Sequence, residues 1–196
     1  MRQIFQVPAG RLVVDRGVPA DGADVLGLYE RVLAEEQWFI ASPEELRLDP
    51  ETQGAQIGWL NRQENCCFWT GRIQRALVGA IKVTGGDLRR TRHVGRLEIF
   101  VDSRHRGGGV GRALMNAAIS WAEENPRLQK LSLNVFDDNE RAIHVYRSLG
   151  FVEEGRRPGE YRERDGRTRG DVLMARALTH RAAALPGLSV TPGPTL

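Results

Sequence analysis

Arg106-Gly107-Gly108-Gly109-Val110-Gly111 and, one helix and one strand further on, Asn139-Glu140-Arg141-Ala142-Ile143-His144-Val145-Tyr146-Arg147-Ser148-Leu149-Gly150-Phe151 are the two stretches whose reading decides the fold. The first lies between Val94 to Val101, which reads as a strand, and a segment where Val110, Leu114, Ala117, Ala118 and Trp121 recur at helical intervals. Asn125-Pro126 ends that helix. Glycines let the backbone approach a ligand and take positive φ, and a helix N-terminus offers unpaired N–H groups with partial positive charge. Strand, turn and helix therefore make a phosphate cradle, to which Arg104, Arg106 and Arg112 add full charges. A pyrophosphate held this way needs no metal. Taken alone, the same glycines fit a tight turn with no ligand.

Two better-known glycine motifs fail. A Walker A loop ends in Gly-Lys-Ser/Thr, whereas Gly111 is followed by Arg112-Ala113. The dinucleotide fingerprint would place its last glycine at position 112 or 114, which are Arg112 and Leu114. In the second stretch Asp138 or Asn139 caps a helix whose inner face is Ala142, Ile143, Tyr146 and Leu149, with Gly150 as its stop. Leu131 to Val135 is the strand before it. Arg106, Gly109 and Gly111 in the order Arg/Gln-x-x-Gly-x-Gly, followed at this spacing by Asn-x-x-Ala-x-x-x-Tyr-x-x-x-Gly-Phe, resemble the GNAT superfamily of N-acetyltransferases. The resemblance covers Leu77 to Ala175 well and the N-terminal third only in its strand-helix-helix-strand pattern.

Outward from these stretches, Arg11 to Asp15 reads as a first strand after a short lead, and Asp21 to Glu36 as a helix on Val25, Leu26, Tyr29, Val32 and Leu33. A second helical region runs from Ser42, with Pro43 next and Glu45 three on, to Leu60, interrupted at Asp49-Pro50. Cys66 to Thr70 and Leu77 to Val83 form an antiparallel hairpin joined through Gly71 to Arg75, and Gly85-Gly86-Asp87 turns the chain towards Val94. Phe151-Val152 and Arg169 to Ala175 form a last hairpin around Asp165-Gly166. The resemblance implies a mixed α/β fold, with a mostly antiparallel twisted sheet of about seven strands, about four helices and splayed central strands. One domain spans residues 1–180, and the Ala, Pro, Gly, Ser and Thr content of residues 181–196 predicts a flexible tail.

The resemblance also implies roles. Acetyl-CoA would lie between Leu97 to Val101 and Leu131 to Val135, with its pantetheine arm pairing as an extra strand with the backbone around Ile99, Phe100 and Val101. Its pyrophosphate would rest on Arg106, Gly107, Gly108, Gly109, Val110, Gly111 and Arg112, with Asn139 and Ala142 beside the arm. An N–H near Ile99 would stabilise the oxyanion. Tyr146 would be the general acid that protonates the departing thiolate, a short climb from a phenol at ~10 to a thiol at ~8.5. Positions that carry a base in many relatives hold Gly95, Leu97 and Asn134, and strand alternation turns Glu98 to the other face. A water relay anchored by Asn134, or by Glu35 or Glu36, fills the gap. His93, His105 and His144 read as surface residues.

Bulk properties bound the rest. With 196 residues, 41% apolar and 27% charged, the chain suits one soluble core. It has no apolar run of membrane-spanning or signal-peptide length, so a cytoplasmic location is the expectation and no membrane partner is implied. Cys66 and Cys67, the only cysteines, are adjacent and read as buried thiols, with no metal-ligand spacing around them. The net charge is +3, with Lys82 and Lys130 the only lysines; the scattered arginines suit a phosphate-rich ligand better than nucleic acid. The implied activity is acetyl transfer from acetyl-CoA to a primary amine, on a small molecule or a protein N-terminus. A catalytically silent acyl-CoA-binding module is the alternative; dimers are common among members of the family it resembles, so a homodimer is one assembly that the resemblance allows without fixing it. The arginines of the last hairpin line an acceptor site or form a solvated face.

Overall fold

In the computed structural model, which describes residues 2–35, 37–45 and 48–179, a single eight-stranded sheet carries two helices on each face. The strands are β1 (Gln3–Val7), β2 (Gly10–Arg16), β3 (Cys67–Ile73), β4 (Ala76–Gly85), β5 (Val94–Val101), β6 (Lys130–Phe136), β7 (Val152–Arg162) and β8 (Thr168–Ala177). The helices are α1 (Gly22–Leu33), α2 (Pro50–Arg62), α3 (Val110–Glu124) and α4 (Glu140–Ser148). Strand order is β1-β2-β3-β4-β5-β6-β8-β7, and only β5 and β6 run parallel. Residues 181–196, expected to be a tail, and Glu36 lie outside the described residues.

Strand alternation sorts the side chains into two cores. Leu12, Val14, Cys67, Trp69, Ile81, Val83 and Leu97 pack against Ala113, Leu114, Ala117 and Ala118 of α3 and Ile143 of α4. On the opposite face Phe68, Ala80 and Phe100 meet Val25, Leu28, Tyr29 and Val32 of α1 and Ile57 and Leu60 of α2. Both cysteines are free and buried, and burial pushes the Cys67 thiol up to about 12, which keeps it unreactive. No helix among the described residues is long and apolar enough to cross a membrane.

Three details differ from the sequence reading. The extra strand, β1, arises because Gln3–Val7 hairpins onto β2, laying Phe5 and Val7 against the core while Ile4 points out. The β3–β4 turn is confined to Gln74 and Arg75, both at positive φ, because Gly71 stays in β3, where Leu12 and Leu114 pack over it. Glu45 does accept from both the N–H and the hydroxyl of Ser42, but its own N–H goes to the Ser42 carbonyl and not to the hydroxyl, so only half of the capping box forms, and it closes only one 3-10 turn. Helix α2 starts afresh at Pro50, capped by Asp49 accepting from the Thr52 N–H at 2.9 Å.

Candidate active site

β5 and β6 pair only at Val94↔Lys130, Gly95↔Leu131 and Arg96↔Ser132, so the two strands part from Leu97 onward. The N–H of Asp102 donates to the Val78 carbonyl at 3.0 Å, in register with Gly79↔Val101 and Ile81↔Ile99. In an antiparallel ladder only alternate residues exchange both bonds with the partner strand. Asp102, Phe100 and Glu98 therefore bond to β4, and Ile99 and Val101 aim their N–H and C=O groups into the wedge towards β6. Phe100 departs from its expected cofactor role. Its backbone is engaged by β4, and its ring faces the α1–α2 side, stacked on Phe39 at 4.5 Å and tilted against Tyr29 at 4.2 Å.

The turn after β5 is fixed by Asp102, which is 3% exposed and held by Arg31 at 3.0 Å and Arg104 at 2.9 Å. These guanidinium bonds, Arg104 foremost, hold the Asp102 carboxyl well below the usual carboxylate range. Gly107 and Gly109 take φ of +78° and +86°, and at Gly107 an added Cβ would stand 2.0 Å from a guanidinium nitrogen of Arg141. Gly109 is the N-cap of α3 and has no side chain to cap it; the first helical bond in place is Ala113 N–H to the Gly109 carbonyl. The N–H groups of Val110, Gly111 and Arg112 are thus left for an anion.

The arginines are distributed differently from the expectation. Arg104 is engaged by Asp102, and Arg106 by Glu35 and by the Val101 carbonyl, the latter at 3.0 Å, so Arg106 braces the turn against the end of α1. Arg112 donates to the Ser148 hydroxyl at 2.8 Å, a neutral partner that leaves its charge in place. Arg141, not singled out from the sequence, adds a guanidinium over Gly107. Among the proposed relay residues, Glu35 is tied up by Arg106, and the Asn134 amide is a hydrogen-bond partner of the Asp171 carboxylate.

α4 presents Tyr146, half-buried, packed on Phe151 at 6.1 Å, and pushed up to about 12 by burial. Asn139 caps α4, accepting from the Ala142 N–H at 3.2 Å. One cavity of about 1560 Å³ joins these groups. It is lined at one end by Arg106, Gly107, Gly109, Gly111, Arg112 and Arg141, at the wedge by Ile99, Leu133, Asn134, Ala142 and Tyr146, and beyond by Tyr29, Gln53, Phe100 and Tyr161. Gly108 and Val110 are not among its lining residues. Glu98 faces away from Leu97, as alternation requires, yet the cavity passes through the wedge and reaches it there, paired with Lys82 at 3.0 Å. His144 is exposed and His93 and His105 partly so. Asp171, 1% exposed, pairs with Arg157 at 2.5 Å and accepts from the Tyr161 hydroxyl at 3.0 Å. Among the described residues no group of three His, Cys, Asp or Glu side chains is placed to hold a metal ion.

The profile of the acetyltransferase (GNAT) family matches residues 30–151. The L-amino acid N-acetyltransferase AaaT of Escherichia coli is 37% identical over 95 residues, 45% of this chain and 59% of that protein. The chain spans about half the length of the curated relatives it matches. Among solved structures, a GNAT-family acetyltransferase from Streptococcus pneumoniae superposes with a TM-score of 0.82 at 24% identity, covering 86% of this chain and 99% of that one. The yncA protein of Salmonella typhimurium, solved with acetyl-CoA, superposes with a TM-score of 0.77 at 17% identity, covering 88% and 96%.

Proposed function

The chain belongs to the acetyltransferase (GNAT) family, and from that premise we propose that it transfers the acetyl group of acetyl-CoA to a primary amine by direct attack within a ternary complex. The observation that carries this reading is the continuity of the cavity through the β5–β6 wedge, which joins an uncapped helix N-terminus to an aromatic-lined chamber on the opposite face of the sheet. The acetyl-CoA found in the Salmonella neighbour supports the choice of donor.

On this reading the pyrophosphate rests on the N–H groups that open α3, with Arg112 and Arg141 beside it, and the arm pairs with Ile99 and Val101. The acceptor enters from the α1–α2 side. As its nitrogen attacks, the Ile99 N–H stabilises the oxyanion; the C–S bond then breaks, the C–N bond remains, and Tyr146 gives its proton to the sulfur. The acceptor is a small-molecule amine or a protein N-terminus. The test is thiol release from acetyl-CoA against polyamines, amino acids, aminoglycosides and N-terminal peptides. Turnover with one class is the expected result; binding of acetyl-CoA with no acceptor consumed would leave a silent binding module.

Deprotonation of the acceptor ammonium is assigned to a water held by Asn134, which passes the proton on to solvent: the Asn134 amide has two N–H donors and its bond to Asp171 uses one, whereas Glu35 is ion-paired with Arg106 and Glu98 with Lys82. Glu98→Gln is then expected to keep the rate at high pH, where the amine is already neutral, within a few-fold of the parent. A loss of a hundredfold or more, about 2.7 kcal/mol in barrier, would hand the base role to Glu98.

A further inference from the structure

Among the described residues, one buried side-chain polar atom in the acceptor half of the cavity has no hydrogen-bond partner. Gln53 on α2 is 2% exposed, and its buried Oε1 has no hydrogen-bond partner. Leaving a buried acceptor unpaired costs about 1–3 kcal/mol, and an apolar side chain of similar volume would fill the space without that cost. Gln53 lines the cavity with Gln56 and Leu60, three and seven positions on and so on one helix face, and Tyr29, Leu33 and Phe68 line the same chamber.

The surroundings decide what kind of donor fits. Lys82 and Glu98 already neutralise each other at 3.0 Å. The Tyr29 phenol is raised, chiefly by burial, and so stays uncharged. Phe100 is contacted by both Phe39 and Tyr29, so its ring is already engaged and is not free to receive a cation. Among the described residues the carboxylates of this chamber, Glu98 and Asp171, are already paired with Lys82 and Arg157, so a second ammonium beside the Gln53 carbonyl is far costlier to bury than a hydroxyl that donates to it.

We propose that Gln53 is a specificity-determining residue that accepts a hydrogen bond from a neutral donor at the far end of the acceptor, selecting amines whose apolar body ends in a hydroxyl or amide N–H over those ending in a methyl group, a bare ring or a second ammonium. It rests on the reading of this chamber as the acceptor site. The probes are tyramine, phenethylamine and cadaverine, which end in a hydroxyl, a bare ring and an ammonium. Their binding to the full chain saturated with coenzyme A is measured by calorimetry, so that the result does not depend on turnover; failure of the acetyltransferase reading would show separately, as no thiol release with any amine.

The expected result is tyramine bound at least about tenfold more tightly than the other two, a difference of about 1.4 kcal/mol. Gln53→Met should erase that preference by weakening tyramine alone, with coenzyme A affinity unchanged and the unliganded protein melting no lower. Equal binding of tyramine and phenethylamine to the parent, no binding of either, tighter binding of cadaverine, or a Gln53→Met loss shared by all three would each overturn the proposal. The parent comparison stands by itself should the variant fold poorly.

Discussion

Tyr146→Phe is expected to lower kcat about 10²-fold while leaving the KM for acetyl-CoA within about twofold, because it removes one hydroxyl and keeps the ring that packs on Phe151. General acids contribute about 10²–10⁴-fold, and the phenol's burial places this one at the lower end. Burial pushes Tyr146 up to about 12, so its proton moves to the thiolate against a steeper gradient than that of an unperturbed phenol. The transfer has to accompany C–S cleavage, when the sulfur is most basic. A phenol this weak stays protonated through the working range, so the rise of rate with pH belongs to the acceptor ammonium losing its proton. The variant should lower the plateau and leave the pH of the rise where it was. A pH–rate profile of both proteins measures this, and a variant plateau within threefold of the parent would remove Tyr146 from the acid role.

How much of this was legible in the sequence depended on how local the determining contacts are. The helix from Val110 to Glu124 and the cap at Asn139 are set by neighbours three and four residues apart, and their reading needed no tertiary information. The span from Val94 to Val101 was equally clear. β1 was missed because five residues with glutamines at two positions carry too little alternation to separate a strand from a lead. The partners of Arg106 were out of reach: Glu35 lies 71 positions away, and only the folded turn shows that this guanidinium is a brace. Alternation turned Glu98 to the correct face, but that the cavity crosses the sheet to meet it depends on where β5 and β6 part. Gln53 reads in the sequence as an ordinary polar position of a helix, and only its burial sets it apart.

Gly111→Asp is expected to leave the protein folded and to weaken coenzyme A binding by about 100-fold or more, about 2.7 kcal/mol. Gly111 sits at the second helical position of α3, at a φ that any residue can take; an added Cβ would meet Val101 and Ile99 side-chain carbons at 3.7 and 3.9 Å, ordinary contacts. Nothing among the described residues therefore demands glycine there, in contrast to Gly107 and Gly109, where positive φ does. A carboxylate in the first turn even complements the helix dipole, so melting should be unchanged or slightly higher. What the change removes is the space and sign of charge that a pyrophosphate needs over the N–H groups of Val110, Gly111 and Arg112, next to Arg112 and Arg141. Calorimetric titration of coenzyme A, beside thermal unfolding of the unliganded variant, separates the two effects. Equal affinity in a folded variant would mean that the pyrophosphate lies elsewhere, whereas lost stability together with lost affinity would make Gly111 a packing residue of the turn.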